Sequence, residues 1–353
     1  MRDDCGILGE TRLSRNFQRL MRRAAANGRD EALFGQKYIA AANEVVKKSS
    51  LRHMPRTSFC LEFPLTGKPY MDIFVNLQCG KMEAPVKFEV GDGFGLASFV
   101  NACAADETLK DYQLYFTFDL SADRHIPNVY LLPPNRKGNI SYVLAMMDKL
   151  NALERKEQTA TVLGKVPSGW QIYYAGFMHT RTDAPLRLGF VANPECVRGY
   201  ARDSSLLARD FNVFYPGGLT EVLQEQLSLL ADAIEAGAEM EIQLDLLPDG
   251  SFGDNIAVSP SLGFNYADVR RADETMAGDR VTRIMELFSR WGVSDDRWRL
   301  MGQACYGVER IAQDGDNRRL VADVVQLSAI KVRFNRNGAS LAKGYLIATS
   351  WDL

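Results

Sequence analysis

Residues 326–353 read QLSAIKVRFNRNGASLAKGYLIATSWDL. Two alternating runs flank Asn335-Arg336-Asn337-Gly338, and Asn-Gly favours the positive φ of a tight hairpin turn. In the first run Ile330, Val332 and Phe334 share one side, and Ala329, Lys331 and Arg333 share the other. In the second run Lys343 and Tyr345 share a side. A strand shows successive side chains to opposite faces. This hairpin therefore has an aliphatic face and a basic face. A water-exposed surface explains such a pattern at one hairpin. A polar tunnel explains it if the other hairpins do the same.

They do. Residues from about 12 to 50 carry helical periodicity, with Phe17, Leu20 and Met21 on one face. Two strand-like runs follow, TSFCLEFPL and PYMDIFVNL, joined at Thr66-Gly67-Lys68. A helical stretch near 94–106 precedes YQLYFTFDL and IPNVYLLPP. A helix at about 140–155 precedes GWQIYYAGFMH and LRLGFVA. Another helix starts near Leu219, after the Pro216-Gly217-Gly218 break, and leads to MEIQLDLLP and DNIAVSPSLGF. Helical segments at about 271–290 and 295–305 lead to the final hairpin. The order is helix, strand, strand, five times over.

Strand pairs joined by short turns are antiparallel hairpins. Ten strands in one flat sheet tend to curl or split, and closure into a barrel removes the edges. The pattern predicts an α+β fold: a ten-stranded antiparallel barrel of five α-β-β units, with helices outside. The competing architecture is a sheet packed on helices with its second face in water. Against it, every hairpin has the same one-sided polar character. The reading is of one domain over 1–353, with 1–50 as an N-terminal helical segment.

The alternation sorts the strand residues. Outward, toward the helices, fall Phe59, Leu61 and Phe63; Leu114, Phe116 and Phe118; Ile242, Leu244 and Leu246; and Ile330, Val332 and Phe334. Inward fall Ser58, Cys60 and Glu62; Asp72, Phe74 and Asn76; Tyr115, Thr117 and Asp119; Asn128 and Tyr130; Arg187; Glu241, Gln243 and Asp245; Asn255, Ser259 and Ser261; Lys331 and Arg333; Lys343 and Tyr345. A one-residue slip would reverse any of these sets.

Composition narrows the function. The chain has 353 residues, 46% of them apolar, with 42 basic against 44 acidic side chains. That balance carries no nucleic-acid footprint. No apolar run is long enough for a membrane-spanning helix. The start, MRDDCGILGE, lacks the basic-then-apolar order of a secretion signal. Six scattered cysteines without a Cys-x-x-Cys read as reduced thiols in a cytoplasmic protein. His53, His125 and His179 are far apart, so no metal cage is expected.

Five successive α-β-β units resemble the ABBA prenyltransferase barrel. Local stretches resemble its indole branch, the dimethylallyltryptophan synthase type. FDLSADRHIPNVYLLPPNRKGN resembles a strand that runs into a proline and a basic turn in those enzymes. APLRLGFVANPE resembles their next strand, NVFYPGGLTEVL their Gly-Gly break before a helix, and SAIKVRFNRNGASLAKGYL their last hairpin. The resemblance implies an allylic diphosphate donor, dimethylallyl or geranyl, held by lysines and arginines. It implies tyrosines that screen the allyl cation, and an aromatic or peptide acceptor of the Trp, Tyr or Arg kind. Glu62 matches the position of the family's acidic residue, which accepts the acceptor's proton.

The chain also departs from that pattern. Asn128 stands where a base is expected before Tyr130, and Gly189 where a tyrosine is expected after Arg187. Neither Asn255 nor Ala257 supplies the usual base and tyrosine. The inward bases that remain are Arg187, Lys331, Arg333 and Lys343, against the acids Glu62, Asp72, Asp119, Glu241 and Asp245. Diphosphate binding relies on charge-assisted contacts, and buried acids oppose it unless neutralised. Two mechanisms stay open. In one, those four bases hold the diphosphate, and Tyr115, Tyr130, Tyr173 and Tyr345 line the cation's path. The acid-rich side, Asp72, Asp119, Glu241 and Asp245, then grips a cationic acceptor. No cofactor is required, with carboxylate-held Mg²⁺ as a variant. In the other, the barrel has lost diphosphate binding and binds or modifies a peptide or small cationic molecule.

Weaker signals have plainer readings. GDGFGLASF at 91–99 lacks the order of a phosphate loop and reads as a turn into a helix. WQIYYAGF reads as a packed strand, and RLMRR and VVKK as a solvated helix face.

Overall fold

A computed structural model of the chain describes residues 16–22, 33–48, 58–79, 96–120, 127–134, 140–149, 156–178, 180–181, 183, 185–234, 238–260, 279–314 and 317–352. His53, His125, His179, Ser261 and the glycines of residues 91–95 lie outside the described residues.

The strands run β1 (Phe59–Pro64), β2 (Asp72–Gln78), β3 (Gln113–Phe118), β4 (Asn128–Leu132), β5 (Trp170–Phe177), β6 (Leu186–Ala192), β7 (Met240–Leu246), β8 (Phe252–Pro260), β9 (Tyr306–Asp314), β10 (Asn317–Asn335) and β11 (Gly338–Asp352). Their spatial order is β11-β1-β2-β3-β4-β5-β6-β7-β8-β10, and β10 also pairs with β11. The ring of ten therefore closes, and its pairings are antiparallel. The barrel expected from the five helix-hairpin units is the barrel observed.

The helices sit where the pattern placed them, with additions. Gln36–Lys48 precedes β1, Leu96–Ala105 precedes β3, and Ile140–Lys149 and Lys156–Leu163 precede β5. Glu221–Ile234 precedes β7, and Asp279–Arg290 and Arg297–Ala304 follow β8. Two further helices, Pro194–Arg202 and Ser204–Phe211, fill the stretch after β6. Their starting signals are in the sequence: Asn193 and Asp203 accept hydrogen bonds from the backbone N–H groups of Cys196 and Ser205, both at 2.9 Å. Among the described residues no helix is long and apolar enough to cross a membrane.

The aliphatic strand faces turn outward and are buried under these helices. Phe59, Leu61 and Phe63 are at most 1% exposed, as are Ile330, Val332 and Phe334. Phe17 meets Phe59 edge-on at 5.1 Å and Phe34 meets Phe63 at 5.4 Å, so the N-terminal helical segment covers β1. Along Glu221–Ile234 the buried residues Leu223, Leu227, Leu230 and Ile234 recur at helical spacing. Each such fully buried side chain contributes about 1.5–3 kcal/mol. This outer shell is the core, and it leaves the inner faces to polar groups.

One strand was not foreseen. β9 pairs with the first half of β10, and the final hairpin thus extends beyond the barrel as a three-stranded sheet. Asp323 anchors it, accepting from Arg19 at 2.8 Å, Arg310 at 2.7 Å and Ser350 at 2.6 Å. The turn at the other end of the hairpin is as expected. Gly338 takes φ +107°, and Asn335 Oδ1 accepts the Asn337 N–H at 2.8 Å.

Candidate active site

The inner faces enclose a cavity of about 290 Å³, at the low end of the range for small-molecule sites. Glu62, Asp72, Tyr115, Asp119, Tyr130, Tyr173, Arg187, Glu241, Lys331, Arg333, Lys343 and Tyr345 all line it. Asp245 stands beside it, bound to Arg187. Asn255 is exposed, a correction to its inward placement. The β7–β8 register breaks between Leu244 and Leu246, so strict alternation fails there.

The bases do not form one row. Lys331 and Lys343 are direct partners across β10–β11, but each is taken by a different carboxylate. Lys343 bonds Glu62, whose other oxygen takes the Tyr345 hydroxyl. Lys331 lies 3.3 Å from Glu241 and donates to Gln243 at 3.0 Å. Arg187 makes a bidentate pair with Asp245, at 2.7 and 2.8 Å, and donates to the Tyr130 hydroxyl at 3.1 Å. Arg187, Lys331, Arg333 and Lys343 thus share one cavity, with Arg187, Lys331 and Lys343 each held by its own carboxylate. A buried charge is tolerated only when paired, and three of the four are paired already.

A fifth base was missed. Arg181 lines the cavity from the β5–β6 connection, where no alternation exists to reveal it. Asn128 Oδ1 accepts both the N–H and the hydroxyl of Thr180, at 3.2 and 2.8 Å, and so fixes the turn that carries Arg181. Burial opposes ionisation of Asp245, but Arg187, with Arg181 and Arg333, holds its carboxyl below the ordinary range. Crowding out of water, with the charges of Arg187 and Arg333, pulls the Arg181 pKa down, although the side chain reaches solvent at the rim. Three guanidinium groups thus surround one carboxylate.

The opposite balance holds around β1, β2 and β3. Burial opposes the Glu62 charge, yet the charge and hydrogen bond of Lys343, with Tyr345, hold its pKa at about 2. Burial, then Glu62 and then Asp119 push Asp72 up to about 7, against the pull of Lys343 and the Leu120 N–H. Burial and Glu62 raise the Tyr345 phenol well above its usual value. Among the described residues no three His, Cys, Asp or Glu side chains are gathered as metal ligands.

Between the two sides lies an aromatic belt. Phe74 stacks on Tyr130 at 6.4 Å and meets Tyr345 at 6.1 Å, and Tyr130 meets Tyr174 at 5.6 Å. Lys331 already sits over the Tyr345 ring, 5.2 Å from its centre, the geometry in which an aromatic face stabilises a cation. Tyr174 escaped the sequence reading because a bulge between Ile172 and Tyr174 turns both Tyr173 and Tyr174 inward. Tyr174 pairs in register with Gly189, and a Cβ on Gly189 would come within 2.4 Å of the Tyr174 ring. The ring absent at position 189 is supplied by the neighbouring strand. Gly176 gives Tyr130 the same room, also at 2.4 Å.

No protein-family model matches the chain, and no curated protein matches it. Solved structures similar to it include the following two. One, described as the crystal structure of AnaPT from Neosartorya fischeri, shares 10% identity over 97% of this chain and 94% of its own, at a TM-score of 0.47. The other, described as the crystal structure of NotF prenyltransferase, shares 10% identity over 99% of this chain and 96% of its own, at a TM-score of 0.46. The chemistry of the lumen is read from its own residues.

Proposed function

We propose that the barrel is a prenyltransferase that moves an allylic group from a diphosphate donor to an aromatic or peptide acceptor. The observation that carries this is the guanidinium cluster of Arg181, Arg187 and Arg333 around Asp245, opening onto the aromatic belt. An anion with several charges relieves the repulsion among the three, and arginine forks suit phosphate oxygens. With the diphosphate there, the allylic carbon points into a lumen lined by Tyr115, Tyr130, Tyr173, Tyr174, Tyr345 and Phe74. Such rings stabilise a cation by roughly 0.5–2 kcal/mol and exclude water from it. The acceptor lies on the Glu62 side, where carboxylates suit an N–H or a cationic group.

Two measurements test the proposal. Mass spectrometry of the protein incubated with dimethylallyl and geranyl diphosphates and Trp, Tyr and Arg peptides should show a prenylated product. Calorimetry should show dimethylallyl diphosphate binding that Arg333→Gln weakens by about 1.5–3 kcal/mol, the scale of a hydrogen bond to a charged group. A parent protein that ignores allylic diphosphates but binds an arginine peptide supports the second reading, a non-prenylating barrel for cationic ligands. Glu62 and Asp72, both facing Lys343, favour that reading.

A further inference from the structure

Glu62 and Asp72 are direct partners across β1–β2, and both line the cavity. Their oxygens are not equally available. Glu62 Oε1 takes the Lys343 ammonium and Oε2 the Tyr345 hydroxyl, so both of its oxygens already carry a bond. Asp72 is half engaged. Its Oδ1 accepts the Leu120 N–H at 3.1 Å. Among the described residues its Oδ2 meets only the Lys343 ammonium, at 4.0 Å, which is too long for a hydrogen bond. The Asp72 side chain is 16% exposed, and that exposure faces the lumen. A proton donor on a bound acceptor therefore finds an open carboxylate oxygen at Asp72.

We propose that Asp72 accepts the proton that the acceptor loses, and that Glu62 is a positioning residue that fixes Lys343 and Tyr345 beside it. This rests on the transfer reading above. The bonds balance without an oxidant or reductant. The allylic C–O bond breaks and the diphosphate leaves with its electron pair. The acceptor, through an aromatic carbon, an O–H or an N–H, gives an electron pair to the allylic carbon. The proton it sheds goes to Asp72 Oδ2, and then to water when product leaves.

The surroundings of Asp72 suit the role. Glu62 faces it from β1, Tyr70 from the β1–β2 connection, Asp119 from the end of β3 and Lys343 from β11. Burial and the two acids outweigh Lys343 and bring Asp72 to about 7. A general base works best with a pKa near the working pH. Glu62, held at about 2, is a far weaker proton acceptor.

The test compares the parent with Asp72→Asn, Asp72→Glu and Glu62→Gln. Parent turnover, measured with the acceptor that the peptide and amino-acid panel identifies, should rise with pH through about 7. Asp72→Asn should lose that limb and about a hundredfold or more of kcat, the scale of general-base loss. Its affinity for dimethylallyl diphosphate, by calorimetry, should stay near the parent's. Asp72→Glu should restore part of the rate and keep a limb, and Glu62→Gln should keep a limb that moves to lower pH, because Glu62 raises Asp72. Infrared difference spectra should show a carboxyl that titrates near neutrality in the parent and is missing from Asp72→Asn. Full turnover by Asp72→Asn, a limb lost with Glu62→Gln instead, or no such carboxyl overturns the assignment. A parent that transfers prenyl groups but is indifferent to Asp72 overturns this role alone. A parent that binds no allylic diphosphate overturns the transfer reading, and the role with it.

Discussion

The arc from β11 through β3 and the arc from the β5–β6 connection through β10 carry the same residue types in inverse proportion. The first sets Glu62 and Asp72 around Lys343, with Asp119 beside Asp72. The second sets Arg181, Arg187 and Arg333 around Asp245. With Arg181 counted, the acids and bases of the lumen balance; without it, a count of inward residues shows an excess of acids and no anion site. Resolved by arc, the lumen has two poles, and within the second arc Lys331 and Glu241 also pair, at 3.3 Å. A neutral total hides a polarised tunnel. That polarity suits a reaction in which an anion leaves on one side and a proton leaves on the other.

The largest effect expected lies in the guanidinium arc. Arg187→Met strands Asp245 without its bidentate partner, and removing one member of a buried pair costs about 3–5 kcal/mol. Denaturant unfolding should show a lower midpoint with an unchanged slope. A cost below about 1 kcal/mol, the scale of an exposed pair, would mean that this arc is solvated and not a pole.

The next effect separates the two acids of the other arc by the sign of their pH dependence. Glu62 is held at about 2, below its ordinary 4.5. Its contribution is therefore present above pH 4.5 and fades as pH falls through 2. A shift of that size is worth about 3 kcal/mol, and Glu62→Gln should remove the dependence. Asp72 is raised from 3.8 to about 7. Its contribution is present below 3.8 and is lost as pH rises through 7, so Asp72→Asn should gain stability over the parent at pH 8 and not at pH 4. If both variants respond alike, the acid arc does not split its two carboxylates.

The smallest effect concerns the belt that joins the arcs. Gly189→Ala places a Cβ within 2.4 Å of the Tyr174 ring. Overpacking of this kind costs roughly 1–3 kcal/mol. It should also loosen the Tyr174 hydroxyl from Glu241 and Gln243, now at 3.0 and 2.9 Å. A thermal shift in Gly189→Ala that vanishes in the background of Tyr174→Ala would locate the strain in that ring. Equal shifts in both backgrounds would place it elsewhere.

The sequence by itself determined the faces. Alternation is local, so Glu62 between Leu61 and Phe63, or Lys331 between Ile330 and Val332, has one polar side whatever the strand pairs with. Five repeats of one helix and one hairpin, together with the cost of open edges, then determined the barrel. β9 was not legible, because Tyr306–Asp314 and the first half of β10 form an extension off the barrel and needed no match to the five-unit pattern. Only the tertiary structure decided the partners. Glu62 and Lys343 are 281 residues apart and meet through closure of the ring at β1–β11, while Arg187 and Asp245, 58 apart, meet through the β6–β7 pairing. Nor does local sequence mark a bulge, and a bulge decides that Tyr174 fills the space above Gly189. Arg181 reaches the lumen from a turn, where side-chain direction has no period to read. A strand's period of two tells which way a side chain points, while register, bulges and closure decide what it meets.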